Sequence, residues 1–136
     1  MPQKAVMLST GTLKDKAEFL NETKKLYEMG LKFYATNGTA KFLKQHNIEA
    51  EVLYWPLEKE EPNIMTYLNE GKIDLVINIP KNEEKYELDN DYLIRRKAVD
   101  MNVNLITNIQ VAKRFVKALY RLNVHTLSVK SWDEYN

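Results

Sequence analysis

Two stretches of this chain carry residue types that can hold a small anion. The first is Tyr34-Ala35-Thr36-Asn37-Gly38-Thr39. An apolar strand ends there, turns through small polar residues and opens a helix. That corner leaves two threonine hydroxyls and several backbone N–H groups at a helix N-terminus, where unsatisfied amides and the helix dipole favour negative charge. Gly38 lets a ligand approach the backbone closely. The second stretch is Asp74-Leu75-Val76-Ile77-Asn78. Asn78 ends an apolar strand, and polar side chains at strand carboxyl ends point into the crevice of an open α/β sheet. Ordinary capping by Thr36 and Thr39, and a turn before Pro80 for Asn78, explain the same residues without a ligand.

Two further residues fit the same crevice. Ser9 ends another strand, ahead of the flexible Thr10-Gly11-Thr12 turn. Lys16 lies early in the following helix, where its ammonium can fold back as a point charge or stay in water. Trp55, between a strand and Pro56, offers an apolar wall with an indole N–H, or else packs as a satellite aromatic under a long loop. Arg95 and Arg96 suit acidic partners or a partner surface. An Arg95 on the buried side needs a carboxylate, with Asp74 and Asp100 as candidates. The charged runs at residues 58–61 and 81–85 read as solvated loops. No glycine-rich dinucleotide or Walker-type loop occurs, and no Ser/His/Asp arrangement stands out.

Composition narrows the class. The 136 residues suit one domain, 1–136, with a single core. A hydrophobic content of 44% argues against disorder. Twenty basic and 19 acidic residues give +1, without the basic field of a nucleic-acid binder. Without cysteine, disulfides and thiolate catalysis are excluded, and a reducing, cytoplasmic setting is expected. His46 and His125 stand far apart, so no metal site is expected. No apolar run approaches the ~20 residues of a membrane span. Met1-Pro2-Gln3-Lys4 leads almost directly into a strand, which predicts no signal peptide and suits a fragment of a longer chain.

The elements that must position these residues alternate. Strands are expected at 5–8, 31–35, 49–54, 73–79 and 103–106. Helices are expected at 12–29 (stopped by Gly30), 38–46, 64–70 (capped by Asn63), 90–101 and 109–122 (capped by Asn108). Loops fill 55–62 and 80–89, and a short apolar piece at 126–129 precedes a polar tail. This rhythm predicts a parallel sheet covered by helices on both faces.

Thr36-Asn37-Gly38-Thr39, the segment Gly71 to Asn78, Ile94-Arg95-Arg96-Lys97-Ala98 and Leu105-Ile106-Thr107-Asn108 resemble the methylglyoxal-synthase-like domain over nearly the whole chain. The Asn-x-Pro after the fourth strand and the Tyr-Leu-Ile-Arg-Arg-Lys-Ala-Val-Asp helix look most like the C-terminal allosteric domain of carbamoyl phosphate synthetase large chains. The resemblance implies an α/β, Rossmann-like three-layer sandwich with a five-stranded parallel sheet. It implies that Ser9, Lys16, Thr36, Gly38, Thr39, Trp55 and Asn78 contact a small anionic effector. Its implied partners are the rest of the synthetase large chain and a glutaminase subunit, with no cofactor in this domain. Effector binding would order the 55–62 and 80–89 loops.

Trp55 matches a tryptophan of acetylglutamate-responsive members. Lys81 and Asp91 fall where those members carry asparagine, and Pro80 replaces a threonine of nucleotide-binding members. Methylglyoxal synthase carries a Gly-Asp-Gln-Gln motif with its catalytic aspartate where this chain has Glu60-Glu61-Pro62-Asn63. The resemblance therefore implies a non-catalytic domain of a ligase. A free-standing lyase acting on dihydroxyacetone phosphate is the second reading, and a structural domain with a decayed pocket the third.

Overall fold

The structure is a computed structural model that describes residues 4–81 and 85–133. Five strands, β1 (Ala5–Thr10), β2 (Lys32–Ala35), β3 (Glu51–Val52), β4 (Leu75–Ile79) and β5 (Asn104–Ile106), form one sheet in the order β3-β2-β1-β4-β5. Every neighbouring pair is parallel. β1 and β4 are buried along their whole length. That matches their near-continuous apolar sequence, because parallel strands are covered on both faces.

Among the described residues, helices α1 (Leu13–Glu18), α2 (Leu20–Glu28), α3 (Asn37–Gln45), α4 (Ile64–Asn69) and α5 (Lys85–Asp100) lie between the strands, and α6 (Ile109–Asp133) follows the last one. Strand alternation splits the core in two. Val6, Leu8, Phe33, Ala35 and Ile77 face α2, α3 and α6, which contribute Leu26, Leu43, Ala112 and Val116. Ala5, Met7, Tyr34 and Val76 face α4 and α5, which contribute Ile64, Leu68 and Ile94. Each large buried side chain contributes roughly 1.5–3 kcal/mol. The three-layer α/β sandwich is the expected one.

Several boundaries differ from the sequence expectation. The helix over 12–29 is broken at Phe19, which is 1% exposed and sits in the core between α1 and α2. Thr12 caps α1 by accepting from the Asp15 amide at 3.0 Å. The third strand shrinks to two residues. It has only one neighbour, and beyond it Tyr54 leaves the sheet to bridge Asn63. The fifth helix starts at Lys85 rather than 90, and residues 82–84 of the expected loop lie outside the described residues. The piece at 126–129 is part of α6, which meets neither glycine nor proline before Asp133. The tail beyond residue 133 is also outside the described residues.

The predicted caps are in place. Gly30 and Gly71 adopt φ of +86° and +73° after α2 and α4. The side chain of Asn63 accepts from the Met65 amide at 2.8 Å, and that of Asn108 accepts from Gln110 at 2.9 Å. Arg95 is exposed, contrary to a buried placement. Asp74 instead accepts from the Ala5 amide at 2.7 Å, tying β4 to β1. Among the described residues no helix is long and apolar enough to cross a membrane.

Candidate anion-binding site

The chain leaves β1 for β2 on one side and returns to β4 on the other, so β1 is the topological switch point. A crevice is expected outside the carboxyl ends of the strands there. Register places Ser9 beside Asn78 and Thr10 beside Ile79, with Thr36 following the end of β2. A cleft of about 470 Å³ opens at this edge. All seven sequence-predicted residues line it: Ser9, Lys16, Thr36, Gly38, Thr39, Trp55 and Asn78.

The wall above β2 is the start of α3. Thr36 occupies the N-cap position in extended geometry, yet its hydroxyl makes no cap bond. It donates to the Ser9 hydroxyl at 3.3 Å instead. The Thr39 hydroxyl is committed to β1, accepting from the Thr10 amide at 3.2 Å and donating to the Thr10 carbonyl at 3.4 Å. The first α3 bond runs from the Ala40 amide to the Thr36 carbonyl. Among the described residues, nothing accepts from the amides of Asn37, Gly38 or Thr39. Ordinary capping therefore does not account for these threonines, and three N–H groups remain for a ligand.

Lys16 folds back over the cleft, but it is anchored there. Its ammonium donates to the carbonyls of Thr10 and Gly11 at 2.5 and 3.1 Å, which leaves one of its three N–H donors. Burial lowers its pKa below the usual 10.5, and the Lys81 ammonium lowers it further, against a smaller opposing effect of Asp15. Lys81 also lines the cleft. Two like charges thus meet at one mouth, an arrangement that an anion relieves.

The other wall is the 55–63 segment. Trp55 both lines the cleft and packs on the α4–α5 half of the core, so the two expectations for it merge. Its amide donates to Glu58 at 2.8 Å, and its carbonyl accepts from the buried Asn63 side chain at 2.9 Å. Asn90 on α5 accepts from the Leu57 amide at 2.9 Å. The segment contains a short 3₁₀ turn, Pro56–Glu58, and is held by these bonds. Glu61 is turned aside, accepting from the Asn63 amide and the Thr66 hydroxyl at 3.1 and 2.7 Å.

The floor holds the residue to which sequence reasoning assigned no contact. Asn78 donates its side-chain N–H to Asp91 of α5 at 2.7 Å, and Asp91 lines the cleft. Asp91 lies 13 residues from Asn78, and only the sheet–helix packing joins them. Its sole sequence signal was an acid where relatives of the resembled family carry asparagine.

Comparison with known proteins matches residues 18–107 to the MGS-like domain. The chain belongs to the MGS-like domain family. This MGS-like domain is 38% identical, over 98% of its length, to a part of the multifunctional protein URA2 of Saccharomyces cerevisiae. It is 34% identical, over 99% of its length, to a part of the mitochondrial carbamoyl-phosphate synthase (ammonia) of Rattus norvegicus. It is 39% identical, over 89% of its length, to the C-terminal section of the carbamoyl phosphate synthase large chain of Methanocaldococcus jannaschii. The MGS-like domain spans only 6%, 9% and 19% of these three relatives. Among solved structures, methylglyoxal synthase from Elizabethkingia anophelis superposes with a TM-score of 0.63 at 18% identity, covering 85% of this chain and 79% of that one. The likeness shows the shared fold.

Proposed function

We propose that this chain is the effector-binding regulatory domain of a carbamoyl phosphate synthetase large chain. A small anionic metabolite binds at the α3 N-terminus and biases the ATP-dependent synthesis performed by the remainder of the large chain with its glutaminase subunit. The observation that carries the reading is the cleft itself. Three amides without a partner among the described residues, at Asn37, Gly38 and Thr39, share it with the Lys16 and Lys81 ammoniums at the switch point of the sheet. Allostery requires the effector to bind two states of the parent differently. Adjacent residues of α5 connect floor and wall here, Asp91 through Asn78 and Asn90 through Leu57. A ligand that moves either contact therefore moves α5.

The relatives support the parent assignment, since carbamoyl phosphate synthases and multifunctional proteins recur among them. Thermal denaturation of the chain with inorganic phosphate, acetylglutamate and dihydroxyacetone phosphate tests the reading. A ligand selective for the native state raises Tm by mass action. A shift that weakens in Gly38→Ala, at a cleft-lining position where an added methyl meets nothing within 4 Å, supports the anion site. No shift with any anion refutes it.

The second reading, a lyase acting on dihydroxyacetone phosphate, draws on one observation. Asp91 supplies a carboxylate inside the cleft, and proton abstraction needs a base within hydrogen-bond reach of the substrate. Release of inorganic phosphate from that substrate would favour it over the regulatory reading.

A further inference from the structure

The cleft carries charges of both signs, and they are arranged at different places. Basic groups gather where β1 ends. Lys16 is anchored on Thr10 and Gly11, and Lys81 follows β4 so closely that a Cβ on Gly11 would meet its backbone. The free α3 amides stand beside them. Acidic groups line the cleft elsewhere, Asp91 at the floor on Asn78 and Glu58 on the 55–63 wall. Glu58 is already bonded to the Trp55 amide. Asp91 accepts from Asn78 through Oδ1. Among the described residues, it forms no ion pair, and nothing is bonded to its Oδ2.

A ligand that is only an anion would gain from the α3 side and be repelled by Asp91. The floor residues show the span between the two sides. Thr36, Ser9 and Asn78 stand at the ends of three adjacent strands, so Thr36 and Asn78 are roughly 10 Å apart, two strand spacings. A ligand that reaches from the α3 amides to Asp91 must cross this floor, because Thr36 opens α3 and Asn78 holds Asp91.

We infer that the cleft takes a bipolar ligand, with an anionic head on the α3 amides and Lys16 and an ammonium tail on Asp91. The inference rests on the anion-site reading and deepens it by naming the ligand's class. Asp91 is the specificity-determining residue, because its carboxylate rejects a second negative charge and rewards a positive one. Asn78 positions that carboxylate through the floor bond.

Calorimetric titration of the chain separates the two ideas. The probes are inorganic phosphate, the two-, three- and four-carbon aminoalkyl phosphates, and the alkyl phosphates of equal length. In the native chain at least one aminoalkyl phosphate should bind about fivefold or more tightly than its alkyl counterpart, as expected of a charge-assisted hydrogen bond in a half-open site. In Asp91→Asn, which keeps an acceptor for Asn78, that preference should vanish and inorganic phosphate should bind more tightly. Equal affinities of amino and plain esters in the native chain overturn the inference while leaving the anion site intact. So does a preference that survives in Asp91→Asn. Failure of inorganic phosphate and every ester to bind the native chain refutes the anion site and the inference together. The native-chain comparison stands even if Asp91→Asn does not fold.

Discussion

Gly11→Ala should loosen the junction between β1 and the segment after β4. A Cβ built on Gly11 would lie 2.3 Å from Lys81 Cα and 2.5 Å from its backbone N. Ordinary contact begins near 3.4 Å, so the two segments must part by about 1.1 Å. They are held together by the Gly11 amide, which donates to the Ile79 carbonyl at 2.9 Å. The neighbour is backbone, so no flexible side chain can swing away. Overpacking of this kind costs about 1–3 kcal/mol. Gly11 is outside the left-handed region, so alanine also stiffens the unfolded chain, a gain of about 0.4–1 kcal/mol. The net loss is roughly 0–2.5 kcal/mol, a fall in Tm of up to about 8 °C for a domain of this size. Phosphate affinity should fall as well, because Lys81 and the Gly11 carbonyl that anchors Lys16 are displaced together. Differential scanning calorimetry with and without phosphate measures both. An unchanged Tm with unchanged phosphate affinity would show that the close approach is not a constraint, and the reasoning would fail.

Gly38→Ala should act in the opposite direction on stability. Nothing lies within 4 Å of its added Cβ, so the helix gains up to about 1 kcal/mol, read as a higher Tm; a lower Tm would contradict the open wall. Asn63→Ala removes the α4 cap and the donor to the Trp55 carbonyl. It should lower stability by about 1–3 kcal/mol, seen as an earlier urea midpoint with unchanged slope. Leu26→Ala, at 0% exposure, should lose about 2–5 kcal/mol, whereas Val99→Ala, at 73%, should stay within about 0.5 kcal/mol. Equal urea midpoints for the pair would overturn the assigned core. The Lys16 pKa is lowered on folding, so between that value and 10.5 the unfolded chain binds more protons. Stability should therefore rise with pH across that window relative to Lys16→Met. Parallel Tm profiles of the two proteins would refute the assignment.

The strands and caps were legible because their signals are local. Continuous apolar runs marked β1 and β4, and Asn63, Asn108, Gly30 and Gly71 marked helix ends through their own backbone chemistry. Ser9, Thr36, Gly38, Thr39 and Asn78 were legible as cleft-lining residues because they lie at strand ends or at a helix start along one edge of the sheet. Phe19 was not, since a pattern of apolar positions does not say that one ring must turn inward and break a helix. The truncation of β3 reflects its edge position, a property of strand order rather than of its own residues. Asp91 gave no sign of a contact beyond its acid-for-asparagine difference, for the same reason. Its meaning comes from a helix laid over a strand end, and no spacing along the chain encodes that.

The central position of β1 has a consequence for how the chain acquires its structure. β1 leaves the ribosome before its partners, yet one of its two neighbours, β4, begins at Leu75. The bond between the Ala5 amide and Asp74 closes a loop of 69 residues. Half of the chain must therefore be made before the middle of the sheet can be completed on both sides. Non-local pairing of this kind slows folding and leaves the apolar edge of β1 uncovered in the interval. A nascent chain stopped short of β4 should be a client for chaperones, and one extended past Ile79 should begin to resist proteolysis.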